Sequence, residues 1–265
     1  MSNVTLFDME HLEDHFGQST WGDTDDSQAF SWQSASRTDV GRVRHINEDA
    51  LLESPAQGLW AVADGMGGHS RGDYASTAVV NQLRTFQRQP SLVANLQDLQ
   101  SRLDSANEQC RTAFRDKRPG TTVAALFAVD SRCFFLWAGD SRIYRLRGED
   151  LQQLTTDHTL AERDRTAGKL EQAPPPDHRS AHVLTRAVGA NEQLRLDIGY
   201  TETQLGDRYL LCSDGLYNAV SGRDIRAPLG QGTPRDACES LVNLALAQGA
   251  HDNITVVITD AAAQH

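Results

Sequence analysis

Short apolar runs alternate with helical stripes along most of the chain, and together they predict a layered fold. Strands are predicted where apolar residues follow one another between polar turns, at 59–63, 121–129, 133–137, 143–146, 209–212 and 254–258. The three runs between 121 and 146 are separated by short polar turns, which is typical of an antiparallel meander.

Helices are predicted between these groups of strands. One apolar stripe at helical spacing consists of Ala75, Val79, Leu83 and Phe86, and a second consists of Leu92, Leu96, Leu99, Leu103, Ala106 and Cys110. Thr233, Pro234 and Asp236 form a helix start, and Gly249 can end that helix. Because strand groups alternate with helix pairs rather than in strict βαβ units, the pattern favours α+β packing in layers.

The first 30 residues differ from the rest of the chain. They carry seven acidic side chains, no lysine or arginine and no sustained apolar periodicity, so we predict a flexible tail over 1–30 and one domain over 31–262. A calcium loop beginning at Asp23 is excluded, because Gln28 and Ser34 stand where its Gly and Glu are required. The polar stretch from 158 to 182 lacks clear periodicity and predicts a functional or mobile loop.

Composition narrows the function classes. The net charge is −11. The chain after residue 30 contains 29 acidic and 25 basic side chains, so no nucleic-acid partner is expected. The sequence shows no apolar run of about 18 residues and no secretory signal, so no membrane partner is expected. The four cysteines are widely spaced, which favours buried free thiols and a cytoplasmic location.

Aspartates recur at the ends of the predicted strands. Asp64, Asp140 and Asp214 each follow an apolar run, Asp252 precedes the last one, and Asp49 lies near the start of the domain. A carboxylate in such a place is costly unless it is paired or binds a cation, and clustered carboxylates suit Mg²⁺ or Mn²⁺. Asp-Gly after a strand is also a common hairpin turn, so spacing alone leaves both interpretations open.

Other chemistries find little support in the sequence. The run from Gly65 to Ser70 does not match a phosphate-binding loop, and no paired histidines indicate zinc. The chain also lacks a Gly-x-Ser-x-Gly nucleophile motif.

Taken in order, seven motifs resemble those of bacterial PP2C-type (PPM) protein phosphatases over about residues 32–260. They lie at 41–49, 63–68, 139–142, 157–158, 184–189, 213–216 and 252–255. The resemblance implies a four-layer αββα sandwich, in which two antiparallel sheets are flanked by helix pairs and carry a binuclear metal centre at one end. It also implies a flap beside the active site, at about 158–187.

The resemblance further implies two tightly bound Mn²⁺ or Mg²⁺ ions and a third, weaker one. By resemblance the metal residues are Asp49, acting on metal-bound water, the bridging Asp64, the carbonyl of Gly65, Asp140 for the third ion, Asp214 and Asp252. Arg44 resembles the arginine that holds the substrate phosphate. Many eukaryotic members have a histidine after the Asp-Gly, where Met66 stands here, so His45, His69 or a metal-bound water is left as the proton donor.

The activity implied is hydrolysis of phosphoserine and phosphothreonine in phosphorylated proteins by activated water. The expected partners include a Ser/Thr kinase or its substrates. Two stretches, at 58–69 and 136–142, look most like members of the family linked to type VI secretion. Two alternatives remain at this point: a phosphatase of an anti-anti-sigma factor, and a non-catalytic binding module of the same fold.

Overall fold

The computed structural model describes residues 4–16, 30–67, 71–114, 118–169 and 179–263. Their strands form two antiparallel sheets. The first sheet contains β1 (Thr5–Phe7), β3 (Asp49–Ser54), β4 (Leu59–Met66), β5 (Gly120–Thr121), β6 (Val123–Val129), β7 (Arg132–Ala138) and β10 (Asp197–Glu202). The second contains β2 (Phe30–Asp39), β8 (Arg142–Arg147), β9 (Asp150–Gln153), β11 (Arg208–Cys212) and β12 (Ile254–Ala263).

Helices cover the outer face of each sheet. The helices are α1 (Leu12–Phe16), α2 (Gly72–Arg84), α3 (Leu92–Ala113), α4 (Leu160–Thr166), α5 (Asp214–Ala219), α6 (Gly222–Leu229) and α7 (Pro234–Ala247). Helices α2 and α3 pack with the first sheet, and α5, α6 and α7 pack with the second. A third apolar cluster fills the space between the sheets. The predicted α+β sandwich of four layers, αββα, is therefore confirmed.

Local sequence accounts for most of these elements. The stripe predicted on α3 is buried over its full length, from Leu92 to Cys110. Thr233 and Asp236 form the capping box of α7, with Pro234 at its first position. The four cysteines are buried free thiols, as predicted. None of the described helices is long and apolar enough to cross a membrane.

The predicted meander is wrong at its third strand. Strands β6 and β7 pair with each other, but β8 pairs with β11 and β9 in the second sheet. The chain changes sheets at the turn after β7, where Gly139 has a φ of 110°. That left-handed conformation favours glycine and turns the chain out of the hairpin path.

The N-terminal segment also differs from the predicted flexible tail. Strand β1 pairs with the edge strand β10, with Leu6 opposite Gly199. Leu12 and Phe16 belong to the core beneath α3, and Phe16 contacts Phe134 edge to face. These few apolar residues dock the segment because the β10 edge and its aromatic neighbours offer them a complementary surface. The acidic stretch at 17–29 lies outside the described residues.

Candidate metal centre

Two of the predicted ligands lie opposite each other on neighbouring strands. Asp49 is the first residue of β3, Asp64 lies near the end of β4, and the two are paired in register. Directly opposite residues of an antiparallel pair point to the same side, with Cβ atoms about 4.5–5.5 Å apart. Strand register therefore brings these two carboxylates together.

The second sheet and the turn between the sheets supply three more. Asp214 begins α5 two residues after the end of β11, and Asp252 lies two residues before β12, the strand that pairs with β11. The side chain of Asp214 lies next to that of Asp64. Asp140 lies in the turn that joins β7 to β8. The predicted aspartates therefore meet at one end of the sandwich, with both sheets contributing.

Hydroxyl groups fix the Asp49 carboxylate. Ser213 and Thr255 each donate a hydrogen bond of 2.7 Å to Asp49 Oδ2. Ser213 precedes α5 and Thr255 lies on β12, so these two bonds tie the start of β3 to the second sheet. The sequence analysis missed both residues, although each lies within three positions of a predicted ligand.

A second pair of hydroxyls joins the backbones of two other ligands. The N–H of Asp64 donates to Thr122 Oγ1 at 2.9 Å, and Thr122 Oγ1 lies 2.6 Å from Ser141 Oγ. Ser141 directly follows Asp140 in the chain. The Thr122–Ser141 pair therefore sets the spacing between the Asp64 strand and the Asp140 turn.

The side chain of Arg142 holds the Asp140 turn from the opposite side. Arg142 forms an ion pair with Asp157 at 2.6 Å, and its guanidinium lies 3.5 Å from the centre of the Tyr217 ring. The hydroxyl of Tyr217 donates to the Asp140 carbonyl at 2.9 Å. These contacts join β8, α5 and the loop after β9, and leave the turn little freedom.

Gly65 lies where no side chain fits. A Cβ atom there would be 2.2 Å from the Gly72 carbonyl oxygen and 2.5 Å from the Glu48 carbonyl oxygen. Its N–H donates to the Glu48 carbonyl at 3.2 Å. The close approach of three backbone segments explains the glycine and keeps its peptide beside the carboxylates.

Arg44 lies at the mouth of the cluster. Its guanidinium is 2.7 Å from Asp252, and about half of its side chain, 51%, is exposed. The loop that carries it is fixed by Asn253, whose Nδ2 donates to the carbonyls of Val40 and Ile46. Arg44 is therefore accessible to a ligand and held on an anchored loop.

The candidate proton donors lie in different places relative to the carboxylates. His45 is exposed next to Arg44, and Met66 ends β4. His69 lies outside the described residues. His182, which the sequence analysis did not consider, interacts electrostatically with Asp214 and lies in the segment predicted as the flap.

Burial raises the pKa values of the carboxyl groups. It is the main reason why the pKa of Asp49 and that of Asp140 rise to about 7 and that of Asp214 to about 6. Burial raises the pKa of Asp64 well above its ordinary value, and the neighbouring carboxylates add to this. Buried like charges are costly unless a cation compensates them, so the cluster favours a bound cation.

The donor set fits a hard divalent cation. The donors gathered here are carboxylate and carbonyl oxygens, which Mg²⁺ and Mn²⁺ prefer. Within the part of the chain that the structure describes, no three His, Cys, Asp or Glu side chains already stand in metal-binding geometry. The fit therefore rests on the chemistry and burial of the donors.

The chain matches a known family and several solved structures. The model of the family described as protein phosphatase 2C matches residues 42–247. The protein phosphatase PhpP of Streptococcus pneumoniae is 33% identical over 231 residues, which are 83% of this chain and 94% of that protein.

Two solved structures share the fold over most of this chain. One is PppA, titled a key regulatory component of T6SS in Pseudomonas aeruginosa, with 39% identity, a TM-score of 0.81 and coverage of 88% of this chain and 99% of that one. The other is the catalytic domain of the serine/threonine protein phosphatase PstP in complex with two manganese ions. It has 32% identity, a TM-score of 0.76 and coverage of 88% and 100%.

Proposed function

The chain belongs to the protein phosphatase 2C family of serine/threonine phosphatases, and from this premise we propose that its strand-end aspartates form the catalytic metal centre. The supporting observation is the burial of Asp49, Asp64, Asp140 and Asp214 at one end of the sandwich, with their pKa values raised. Two Mn²⁺ or Mg²⁺ ions bound there would supply a hydroxide-like nucleophile near neutral pH and offset charge on the phosphate. The manganese-bound relative supports this choice of cation.

Each ligand has a role that its position supports. Asp64 is proposed to bridge both ions, because it faces Asp49 across the strands and touches Asp214. Asp214 and Asp252 are proposed to complete the second ion, and the Gly65 carbonyl to bind one of the pair. Asp140 is proposed to hold a third, weaker ion together with Asp214.

Two groups are proposed to act on the reactants. Asp49 accepts hydrogen bonds from two hydroxyls on one oxygen, and its carboxylate is proposed to orient the attacking water. Arg44 is proposed to bind the substrate phosphate, because its planar, permanently charged guanidinium matches phosphate oxygens in a bidentate way. Its ion pair with Asp252 holds it next to the centre.

The proposal is tested by metal-dependent turnover. Purified protein, freed of metal with EDTA, is assayed on p-nitrophenyl phosphate and on a phosphothreonine peptide during a Mn²⁺ titration. Asp64→Asn should lose nearly all turnover of both substrates, and the exposed Asp150→Asn on β9 should match the wild type. Strong activity in excess EDTA, or equal activity of the two variants, would contradict the proposed centre.

A role in signalling is the finer part of the proposal. We propose that the protein acts in the cytoplasm on phosphorylated proteins, opposing a Ser/Thr kinase that controls type VI secretion. The similarity to PppA supports this pathway, and the four buried free thiols accord with a reducing compartment. The alternatives are an anti-anti-sigma factor as substrate and a non-catalytic binding module.

The pathway is tested in cells. A deletion strain is complemented with the wild type or with Asp64→Asn, and the phosphoproteomes are compared. Phosphothreonine should accumulate on the kinase or on type VI secretion components only without an active copy. Accumulation on an anti-anti-sigma factor would favour the first alternative. Full complementation by Asp64→Asn would favour the binding module.

A further inference from the structure

One distant residue fixes the backbone of Gly139, in the turn that carries Asp140. The N–H of Gly139 donates to His158 Nδ1 at 3.1 Å, and the N–H of His158 donates back to the Gly139 carbonyl at 2.9 Å. Both polar groups of the Gly139 backbone are thus bound by a residue 19 positions later in the chain. Such paired bonds fix the direction in which the next residue, Asp140, leaves the turn.

His158 is itself held firmly. It is only 7% exposed, and its ring stacks on that of Trp137, with the centroids 5.8 Å apart and the planes 6° from parallel. Because Nδ1 accepts a hydrogen bond from Gly139, the ring proton is assigned to Nε2, which lies 3.0 Å from Asp197 Oδ2. Arg186 forms an ion pair with the other oxygen of the same carboxylate, which holds Asp197 in place beside the ring.

The same residue also binds the described base of the flap segment. The His158 carbonyl accepts a hydrogen bond of 2.8 Å from the N–H of Thr185, and Thr159 pairs with Leu184 in an isolated bridge. His158 therefore connects the Asp140 turn, the start of β10 and both ends of this segment.

We propose that His158 is a positioning residue for the weaker metal site, fixing the Gly139–Asp140 turn through the acceptor Nδ1. The proposal rests on the assignment of Asp140 to that ion in the proposed function. A residue that orients a metal ligand through hydrogen bonds, without touching the metal, typically contributes about 10–100-fold to metal affinity or activity.

Two conservative substitutions separate the positioning role from a purely structural one, because each keeps a different hydrogen bond of the His158 ring. In His158→Asn the amide oxygen takes the place of Nδ1 and can accept from Gly139, but the contact with Asp197 is lost. In His158→Gln the amide nitrogen takes the place of Nε2 and can donate to Asp197, but the acceptor for Gly139 is lost.

The experiment measures Mn²⁺ binding by calorimetry on the full chain, for the wild type, both substitutions and Asp140→Ala. A second measurement is hydrogen exchange of the Gly139 amide in the metal-free protein, with thermal unfolding as the check on folding. His158→Asn should bind the weaker ion within about threefold of the wild type and keep the Gly139 amide protected. His158→Gln should bind that ion at least about tenfold more weakly and lose the protection.

Two results would overturn the proposal. One is weak-ion binding by His158→Gln within about threefold of the wild type, under conditions where Asp140→Ala loses that ion. The other is an equal loss in His158→Asn and His158→Gln. If Asp140→Ala keeps every ion, the assignment of Asp140 is wrong and the role of His158 toward it falls too. The Asp140→Ala reference thus distinguishes the two failures.

Discussion

Replacing Asp49 with Asn should stabilise the metal-free protein while it abolishes catalysis. Burial raises the pKa of Asp49 from 3.8 to about 7, so the charged carboxylate is less stable in the folded chain than in the unfolded chain. The resulting loss in the free energy of unfolding is absent below pH 4, grows as pH rises, and is complete above pH 7. The complete loss corresponds to about 4 kcal/mol.

Part of that gain is lost in the variant. Ser213 and Thr255 donate to one oxygen of Asp49, and the amide oxygen of asparagine can accept both bonds, but its NH₂ group must then find acceptors inside the buried site. We therefore expect a net gain of about 1–3 kcal/mol at pH 8. For a chain of this size, the melting temperature should rise by about 2–4 °C per kcal/mol.

The assay is thermal unfolding in EDTA at pH 4, 6 and 8, with the exposed Asp150→Asn as the control. The difference between Asp49→Asn and the wild type should be smallest at pH 4 and largest at pH 8. Saturating Mn²⁺ should raise the melting temperature of the wild type more than that of the variant, because a cation binds the folded state and needs the carboxylate. Loss of stability in Asp49→Asn at pH 8, or a gain independent of pH, would refute the reasoning.

The other predictions concern the N-terminal segment, the third ion and the cysteines. Leu12→Ala should lower the free energy of unfolding by about 2–5 kcal/mol because Leu12 is 1% exposed, and Leu6→Ala, at 58% exposure, should change it by less than about 1 kcal/mol. Denaturant unfolding measures both, and equal effects would show that the segment does not pack as described. Asp140→Ala should bind two Mn²⁺ normally by calorimetry yet lose at least about 10²-fold in rate on a phosphopeptide, with a smaller loss on p-nitrophenyl phosphate, whose leaving group hardly needs a proton. Equal losses on both substrates would argue against a role in proton supply. Activity with Mn²⁺ should survive treatment with a thiol-alkylating reagent under native conditions, because burial raises the pKa of Cys133, Cys212 and Cys238 to about 12. Inactivation by stoichiometric labelling of the folded protein would contradict this.

Local sequence determined the elements and the identity of the candidate ligands. The apolar stripe of α3 and the capping box of α7 depend on contacts within a few residues, so spacing alone predicted them. The aspartates were recognisable because a carboxylate at the end of an apolar strand needs a physical reason. The motif order then indicated the family that the comparisons confirmed.

Tertiary structure decided which strands pair and which side chains meet. An apolar strand carries the same pattern whichever partner it takes, so the sequence did not reveal that β8 leaves the hairpin for the second sheet. The docking of Leu12 and the hold of His158 on Gly139 join residues far apart in the chain, and no local spacing encodes such contacts. Asp49 likewise meets Ser213 and Thr255 only because two sheets close on each other. The sequence thus identified the candidate ligands by residue type. The contacts that position them depend on distant chain segments meeting, and these only the fold decided.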